Sequence, residues 1–153
     1  AFERAISLKD HLETGVPLDA ILSPEFALTI FHPKTALHDG GMIISKNRVA
    51  AAGCVFPVSS RELEDRSTGL RHRAAIGITE ETDCVAVVVS EETGQISICV
   101  DGKLERNLKK DEFRTRMEAI FVPEDNNNEE DAEKELAGEA GDAPGRDSDL
   151  VSD

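Results

Sequence analysis

The sequence predicts a mixed α/β domain, a central β-sheet flanked by helices. Three observations carry this. Two stretches of strand-like residues fold back on themselves around polar turns, at Lys46-Asn47-Arg48 and Asp101-Gly102. One run, Cys84-Val85-Ala86-Val87-Val88-Val89, is continuously apolar and rich in β-branched residues. Two segments, one near Ser23 and one near Asp111, have the spacing and end signals of helices.

Residues 5–13 show no clear pattern. Gly15-Val16-Pro17-Leu18 reads as an extended turn, because Pro17 biases Val16 away from helix. Ser23-Pro24-Glu25 reads as a helix start, with Ser as N-cap, Pro in the first turn and an acid at the positive dipole end. Phe26, Ala27 and Ile30 supply that helix's apolar face, and Pro33 ends it. Gly41 to Ser45 and Val49 to Val55 read as the two strands of a hairpin. Pro57-Val58-Ser59-Ser60 opens a charged connection with room for a short helix at 61–66. Arg73 to Thr79 suits a helix with Ala74, Ala75 and Ile78 inward, although Gly77 argues against it. Cys84–Val89 has the composition of a strand buried on both faces. Glu91-Glu92-Thr93-Gly94 is a turn, Gln95–Val100 a strand, and Asp101-Gly102 a strong hairpin signal with Lys103–Arg106 returning. Asp111 to Phe121 reads as a closing helix with Phe113, Met117, Ile120 and Phe121 inward, stopped by Pro123.

The chain of 153 residues suits one domain, and the charge shows where it ends. The net charge is −14, yet residues 124–153 alone hold twelve acids against Lys134 and Arg146, a net of −10. That stretch reads as an acidic disordered tail, leaving 1–123 as the folded domain with a net charge of only −4. An acidic body argues against a general nucleic-acid binder, which needs a basic face. The absence of Trp and Tyr leaves few stacking platforms for single strands. Neither consideration excludes a local basic pocket for one nucleotide. Cys54, Cys84 and Cys99 lie in apolar surroundings without CxxC spacing, as buried free thiols of a reducing compartment do. No apolar run approaches the ~20 residues of a membrane span. The chain opens mid-pattern at Ala1-Phe2-Glu3-Arg4, as a piece of something longer does.

Two polar islands interrupt the apolar pattern. Leu37-His38-Asp39-Gly40-Gly41 runs into Met42-Ile43-Ile44, and Gly69-Leu70-Arg71-His72-Arg73 runs into Ala74-Ala75-Ile76-Gly77-Ile78. The first offers a metal-capable acid beside glycines that let a ligand approach the backbone closely. It also reads as an ordinary Asp-Gly turn. The second offers guanidiniums suited to phosphate. Three consecutive residues cannot share one face, so a solvated charge cluster is its other reading, and His72 alone suits a structural role. Ser90-Glu91-Glu92-Thr93-Gly94 follows the buried strand, where open α/β sheets place ligands, but a charged turn would look the same. The chain has no phosphate-binding GxxxxGK[ST] loop, no GxGxxG, no HExxH, no zinc spacing and no GxSxG elbow.

Taken in order, these islands together with Glu13-Thr14-Gly15-Val16-Pro17-Leu18-Asp19-Ala20 and Thr82-Asp83 resemble the diadenylate cyclase domain, whose hallmarks are Asp-Gly-Ala and Arg-His-Arg. The resemblance spans roughly residues 2–121 and is strongest to the membrane-anchored, single-domain branch. It implies condensation of two ATP molecules into the second messenger cyclic di-AMP, with release of two pyrophosphates, across a face-to-face homodimer or higher oligomer. Carried over residue by residue, it implies that Asp39 lies at the ribose hydroxyl and helps Mg²⁺ or Mn²⁺ activate it, with His38 and Glu91 as further metal ligands. Gly40 and Gly41 would lie against sugar and phosphate. Arg71, His72 and Arg73 would hold phosphates, with Ser90 and Glu92 completing the cradle, and Val55 and Phe56 would border the adenine. The family's first helices, and any membrane anchor, would precede Ala1, which implies a place in the cytoplasm or at the cytoplasmic membrane face. No nucleic-acid partner is implied for this domain. Three departures stand out: Gly41 in place of Ala, Leu70 in place of Thr, and Val55 in place of an aromatic residue. They keep open a second reading, a degenerate nucleotide-binding module without turnover, and a third, an assembly domain.

Overall fold

The computed structural model describes residues 1–65 and 68–122. The chain divides into two compact units, Ala1–Arg116 and Met117–Asp153. The expected tail, 124–153, lies outside the described residues.

The first unit is built on two three-stranded antiparallel sheets. One has the order β1-β3-β2, from β1 (Val16–Ile21), β2 (Gly41–Ser45) and β3 (Arg48–Cys54); the other has the order β4-β5-β6, from β4 (Val85–Val89), β5 (Ile96–Val100) and β6 (Lys103–Leu108). Phe2 joins them, bridging Ile44 in parallel and Val85 in antiparallel fashion. Phe2 N–H donates to the Val85 carbonyl at 2.7 Å, and Val85 N–H to the Phe2 carbonyl at 3.1 Å. Glu3 N–H reaches the Ile44 carbonyl at 2.8 Å, and Ile44 N–H the Ala1 carbonyl at 2.8 Å. Residues 1–3 run with β2 and against β4, so β2 and β4 run in opposite directions. The start of β2 and the end of β4 therefore lie at the same edge.

Both faces of the sheet are covered. Ile43 and Ala51 pack with Ala75, Ile76 and Ile78 of helix α3 (Leu70–Glu81), and with Leu8 just before the short helix α1 (Lys9–Leu12). Met42, Ile44 and Val49 pack with Ile30, Phe26 and Ala27 of helix α2 (Pro24–Ile30). Period-two alternation along β2 thus feeds two cores, in keeping with the helix-flanked, mixed α/β domain that the sequence predicts, although the single central sheet expected is two three-stranded antiparallel sheets. Helix α2 begins as expected: Ser23 Oγ accepts from Phe26 N–H at 3.1 Å and Pro24 occupies the first turn. The β5–β6 turn places Asp101 at φ 51° and Gly102 at φ 72°, the mirror-image turn that matches strand twist. Cys54, Cys84 and Cys99 are free and buried, and burial raises the pKa of each thiol.

Five expectations change. The segment at Gly15–Leu18 is no turn, because Val16 starts β1; Pro17 is tolerated there since β1 is an edge strand whose register shifts between Pro17 and Ala20. Residues 61–65 form bends rather than a helix, held by side chains as described below; residue 66 lies outside the described residues. Helix α3 starts at Leu70, three residues before the expected start, and runs through Gly77 to Glu81. In helix α4 (Lys110–Phe121), Phe113, Met117 and Ile120 are half-buried, but Phe121 is 42% exposed. Strand β4 is buried at Val85, Ala86 and Val88, while its last residue, Val89, is 54% exposed at the site edge.

Candidate nucleotide site

The opposite directions of β2 and β4 bring the first island and the Ser90–Gly94 turn together. The loop His38-Asp39-Gly40 enters β2, the turn Ser90–Gly94 leaves β4, and both sit at one edge of the sheet. Helix α3 starts beside them. Arg71, in its first turn, joins all three: its Nη2 lies 2.8 Å from Glu91 Oε1 and makes a long 3.5 Å contact with the His38 carbonyl. Gly69 caps α3 without a side-chain hydrogen bond, leaving first-turn N–H groups for an anion. Leu70 is 74% exposed at that helix start.

Arg71, His72 and Arg73 do not act as one cluster. Arg73 Nη1 turns to the Ser59 and Arg61 carbonyls, at 3.3 and 3.2 Å, and holds the 57–61 segment against the helix. His72 has its pKa lowered, first by burial and then by the Arg106 charge, so its ring favours the neutral form. Successive helical residues diverge by about 100°, which separates the three side chains.

His38 is half-buried, and its Nδ1 lies 2.6 Å from the Thr35 carbonyl. That contact makes Nδ1 the protonated nitrogen and leaves the Nε2 lone pair available. The Asp39 carboxylate is exposed and has no hydrogen-bond or ion-pair partner among the described residues. Gly40 has φ 128°, and a Cβ there would meet the Gly53 carbonyl carbon at 2.8 Å and the Cys54 carbonyl oxygen at 2.9 Å. Only glycine lets this loop cross β3. Glu91 is committed to Arg71, and among the described residues no three His, Cys, Asp or Glu side chains form a ready metal cluster. Ser90 Oγ accepts from Thr93 N–H at 3.3 Å, and Gly94 N–H closes the turn on the Ser90 carbonyl at 2.8 Å. Glu92 is exposed on that turn.

Val55 is 67% exposed beyond the end of β3, and Phe56 is half-buried over Gly41. Thr14 fixes this segment: its hydroxyl accepts from Val55 N–H at 2.8 Å and donates to the His11 carbonyl at 2.5 Å. Thr14 carried no role in the sequence reading, since a lone Thr before a Gly has no chemical signature. Asp83 proves to be a structural anchor, its two oxygens taking the Ala5 and Ile6 N–H groups at 3.0 and 2.9 Å.

The fold and these converging loops define a class: an α/β domain in which the His38–Gly40 loop, the start of α3 and the Ser90–Gly94 turn meet at one polar edge of the sheet. The chain belongs to the diadenylate cyclase domain family, since residues 1–104 match the family described as DisA bacterial checkpoint controller nucleotide-binding. It is 44% identical over 119 residues to the cyclic di-AMP synthase CdaA of Bacillus subtilis (strain 168), covering 78% of this chain and 44% of that protein. It is 44% identical over 110 residues to the diadenylate cyclase of Listeria monocytogenes serotype 1/2a (strain 10403S), covering 72% of this chain and 40% of that protein. The chain thus spans less than half the length of these relatives. The crystal structure of a double mutant of Staphylococcus aureus DacA superposes with a TM-score of 0.74 at 43% identity, covering 76% of this chain and 78% of that one. A hypothetical membrane spanning protein from Bacillus cereus gives a TM-score of 0.67 at 36% identity, covering 71% and 53%. No helix among the described residues is long and apolar enough to cross a membrane.

Proposed function

We propose that this chain is the catalytic domain of a diadenylate cyclase, which joins two ATP molecules into cyclic di-AMP and releases two pyrophosphates. The observation that carries this is the convergence of the Asp39 loop, the α3 start and the Glu91 turn on Arg71. Each ribose 3′-oxygen attacks the α-phosphorus of the other nucleotide, and the bond to pyrophosphate breaks. Asp39, an unpaired carboxylate at the cleft, receives the hydroxyl proton. Arg71 and the open α3 N–H groups stabilise the charge gathering on the pyrophosphate. Ser90 and Glu92 border the same phosphates, and the glycine path at Gly40 lets the sugar approach. His72 and Arg73 support the site through the helix and the 57–61 segment.

One protomer carries one cleft, so ring closure needs two ATP-loaded copies facing each other, and alignment is the main catalytic device. The donor set suits a hard divalent cation, Mg²⁺ or Mn²⁺: Asp39 and the free His38 Nε2 would hold it, with phosphate oxygens and water completing the shell. When bound, such an ion lowers the pKa of the attacking hydroxyl and polarises the phosphate. Glu91 is the further ligand candidate, available once Arg71 engages phosphate. The catalytic domain comprises residues 1–123, with 124–153 an acidic tail outside it, and it works in the cytoplasm, or at the cytoplasmic membrane face where a further anchoring segment holds it there, without binding nucleic acid.

The test is incubation of the chain with ATP and Mn²⁺ at concentrations that allow pairing, with mass spectrometry of the product. Wild type yields cyclic di-AMP; Asp39→Asn yields none while keeping its circular dichroism spectrum and its ATP binding by calorimetry. Undiminished product from the Asn variant overturns the role of Asp39. Tight ATP binding by wild type without product makes the domain a binding module.

A further inference from the structure

Strand β6 carries an irregularity that aims one arginine at the start of α3. Ile96 faces Leu108 and Ile98 faces Glu105, so Arg106 and Asn107 together face Ser97, one residue more than regular pairing allows. Asn107 takes φ 57°, a left-handed backbone that side chains rarely adopt. A bulge of this kind re-aims the side chain it carries, here Arg106. Its Nη1 donates to Asp65 Oδ2 at 2.6 Å and its Nη2 to the Thr68 hydroxyl at 2.5 Å. Thr68 is buried, and its hydroxyl and N–H both donate to the Asp65 carbonyl, at 2.8 and 3.3 Å. One guanidinium thus grips two residues that already hold each other.

Thr68 leads directly into Gly69, the cap of α3. Gly69 makes no side-chain cap bond, and the space where its Cβ would stand is open, with no atom within 4 Å. No side chain at Gly69 fixes where the helix begins; the anchored residue just before it does. The Arg106 charge also reaches the helix, since it joins burial in lowering the His72 pKa. We infer that Arg106 is a positioning residue for the reaction: from the β6 bulge it fixes Thr68, and through Thr68 the α3 start whose N–H groups and Arg71 meet the phosphates. This rests on the nucleotide reading of the site. A second arginine supplies the contrast. Arg116 also grips β6, its Nε donating to the two Glu105 oxygens at 2.9 and 3.1 Å, but its partner is on the strand and not in the approach to α3.

The test uses the full chain and five variants: Arg106→Gln, Arg106→Lys, Thr68→Val, the Gln and Val changes combined, and Arg116→Gln. The readouts are kcat and KM for ATP with Mn²⁺ well below the lowest melting temperature, the melting temperature itself, and NMR amide shifts without nucleotide. Arg106→Gln is expected to lower kcat about tenfold with KM within about threefold, because phosphate donors are displaced rather than removed. Arg106→Lys falls between, since a point charge cannot span Asp65 and Thr68. Thr68→Val loses kcat to a similar degree, and the combined variant loses no more than the worse single one. Arg116→Gln keeps kcat within about twofold. The amides of Gly69, Leu70 and Arg71 shift in Arg106→Gln and stay in place in Arg116→Gln. Losses that multiply in the combined variant overturn the route through Thr68. A lower melting temperature with unchanged kcat and KM overturns the positioning role and leaves a structural clip, as does an equal kcat loss in Arg116→Gln. Thr68→Val carries the test if Arg106→Gln does not fold. Wild type that neither binds ATP nor makes product overturns the nucleotide reading instead; the amide shifts then still decide whether Arg106 sets the helix start, and unmoved amides overturn that too.

Discussion

Gly77→Ala is expected to destabilise the domain, against the general rule for helices. Alanine in a helix interior is ordinarily favoured over glycine by about 0.8–1 kcal/mol. Here the added Cβ would press on the Pro57 carbonyl oxygen and stand 2.7 Å from its carbon and 3.0 Å from Ser59 N, where ordinary contact begins at 3.4 Å. These are backbone atoms and cannot swing aside. The 57–61 segment is also pinned: Ser59 N–H donates to the Arg73 carbonyl at 3.0 Å, Ser59 Oγ to Glu80 Oε1 at 3.1 Å, and Arg73 Nη1 to the Ser59 carbonyl at 3.3 Å. Retreat by most of an ångström strains or breaks two or three of these bonds, at about 0.5–1.5 kcal/mol each. Overpacking adds about 1–3 kcal/mol. Against the helix gain of roughly 1 kcal/mol, the net loss is about 1–6 kcal/mol. Urea unfolding followed by circular dichroism reads this as a lower midpoint at unchanged m-value. A variant as stable as wild type, or more so, would refute the close approach of Pro57 to α3.

Two further outcomes follow from the site. Arg71→Lys replaces a fork that spans Glu91 and the His38 carbonyl with a point charge; since the pair is partly exposed, stability should change by less than about 1 kcal/mol, while the KM for ATP in steady-state assays rises about tenfold, and an unchanged KM removes Arg71 from the phosphates. His72 has its folded pKa pushed below the ordinary 6.5 by burial and by Arg106, so below that pH the unfolded chain binds more protons than the folded one and stability falls as pH falls, levelling off above 6.5. Urea midpoints compared between wild type and His72→Asn should therefore converge as the pH is lowered from 7.5 to 5.5, and parallel curves would contradict the assignment.

The parts of the fold that were legible in the sequence are those fixed by local chemistry. Ser23-Pro24-Glu25 fixes a helix start because the capping atoms are neighbours in the chain. Asp101-Gly102 fixes a hairpin because the turn itself demands positive φ. The parts that were not legible depend on distant atoms. Pro17 reads as punctuation until β1 is seen to be an edge, where the missing N–H costs no ladder bond. Gly77 reads as a helix breaker because its cause, the Pro57 carbonyl, lies twenty residues away in the chain. The resemblance singled out Arg71, Arg73 and Glu91 together, but spacing alone could not divide their labour: Arg71 turns to Glu91 and the His38 carbonyl, whereas Arg73, two positions on, points to the 57–61 carbonyls.

The seam at Phe2 accounts for the meeting of the His38–Gly40 loop and the Ser90–Gly94 turn. Neither His38-Asp39-Gly40 nor Ser90-Glu91 belongs to a strand pair that contains the other; each sits in a different three-stranded sheet. What sets them side by side is the short N-terminal segment, parallel to β2 and antiparallel to β4, which forces those strands into opposite directions. A parallel arrangement of β2 and β4 would send Glu91 to the far edge, beyond the reach of any arginine on α3. The meeting of these loops therefore depends on main-chain hydrogen bonds that residues 1–3 make to Met42, Ile44 and Val85.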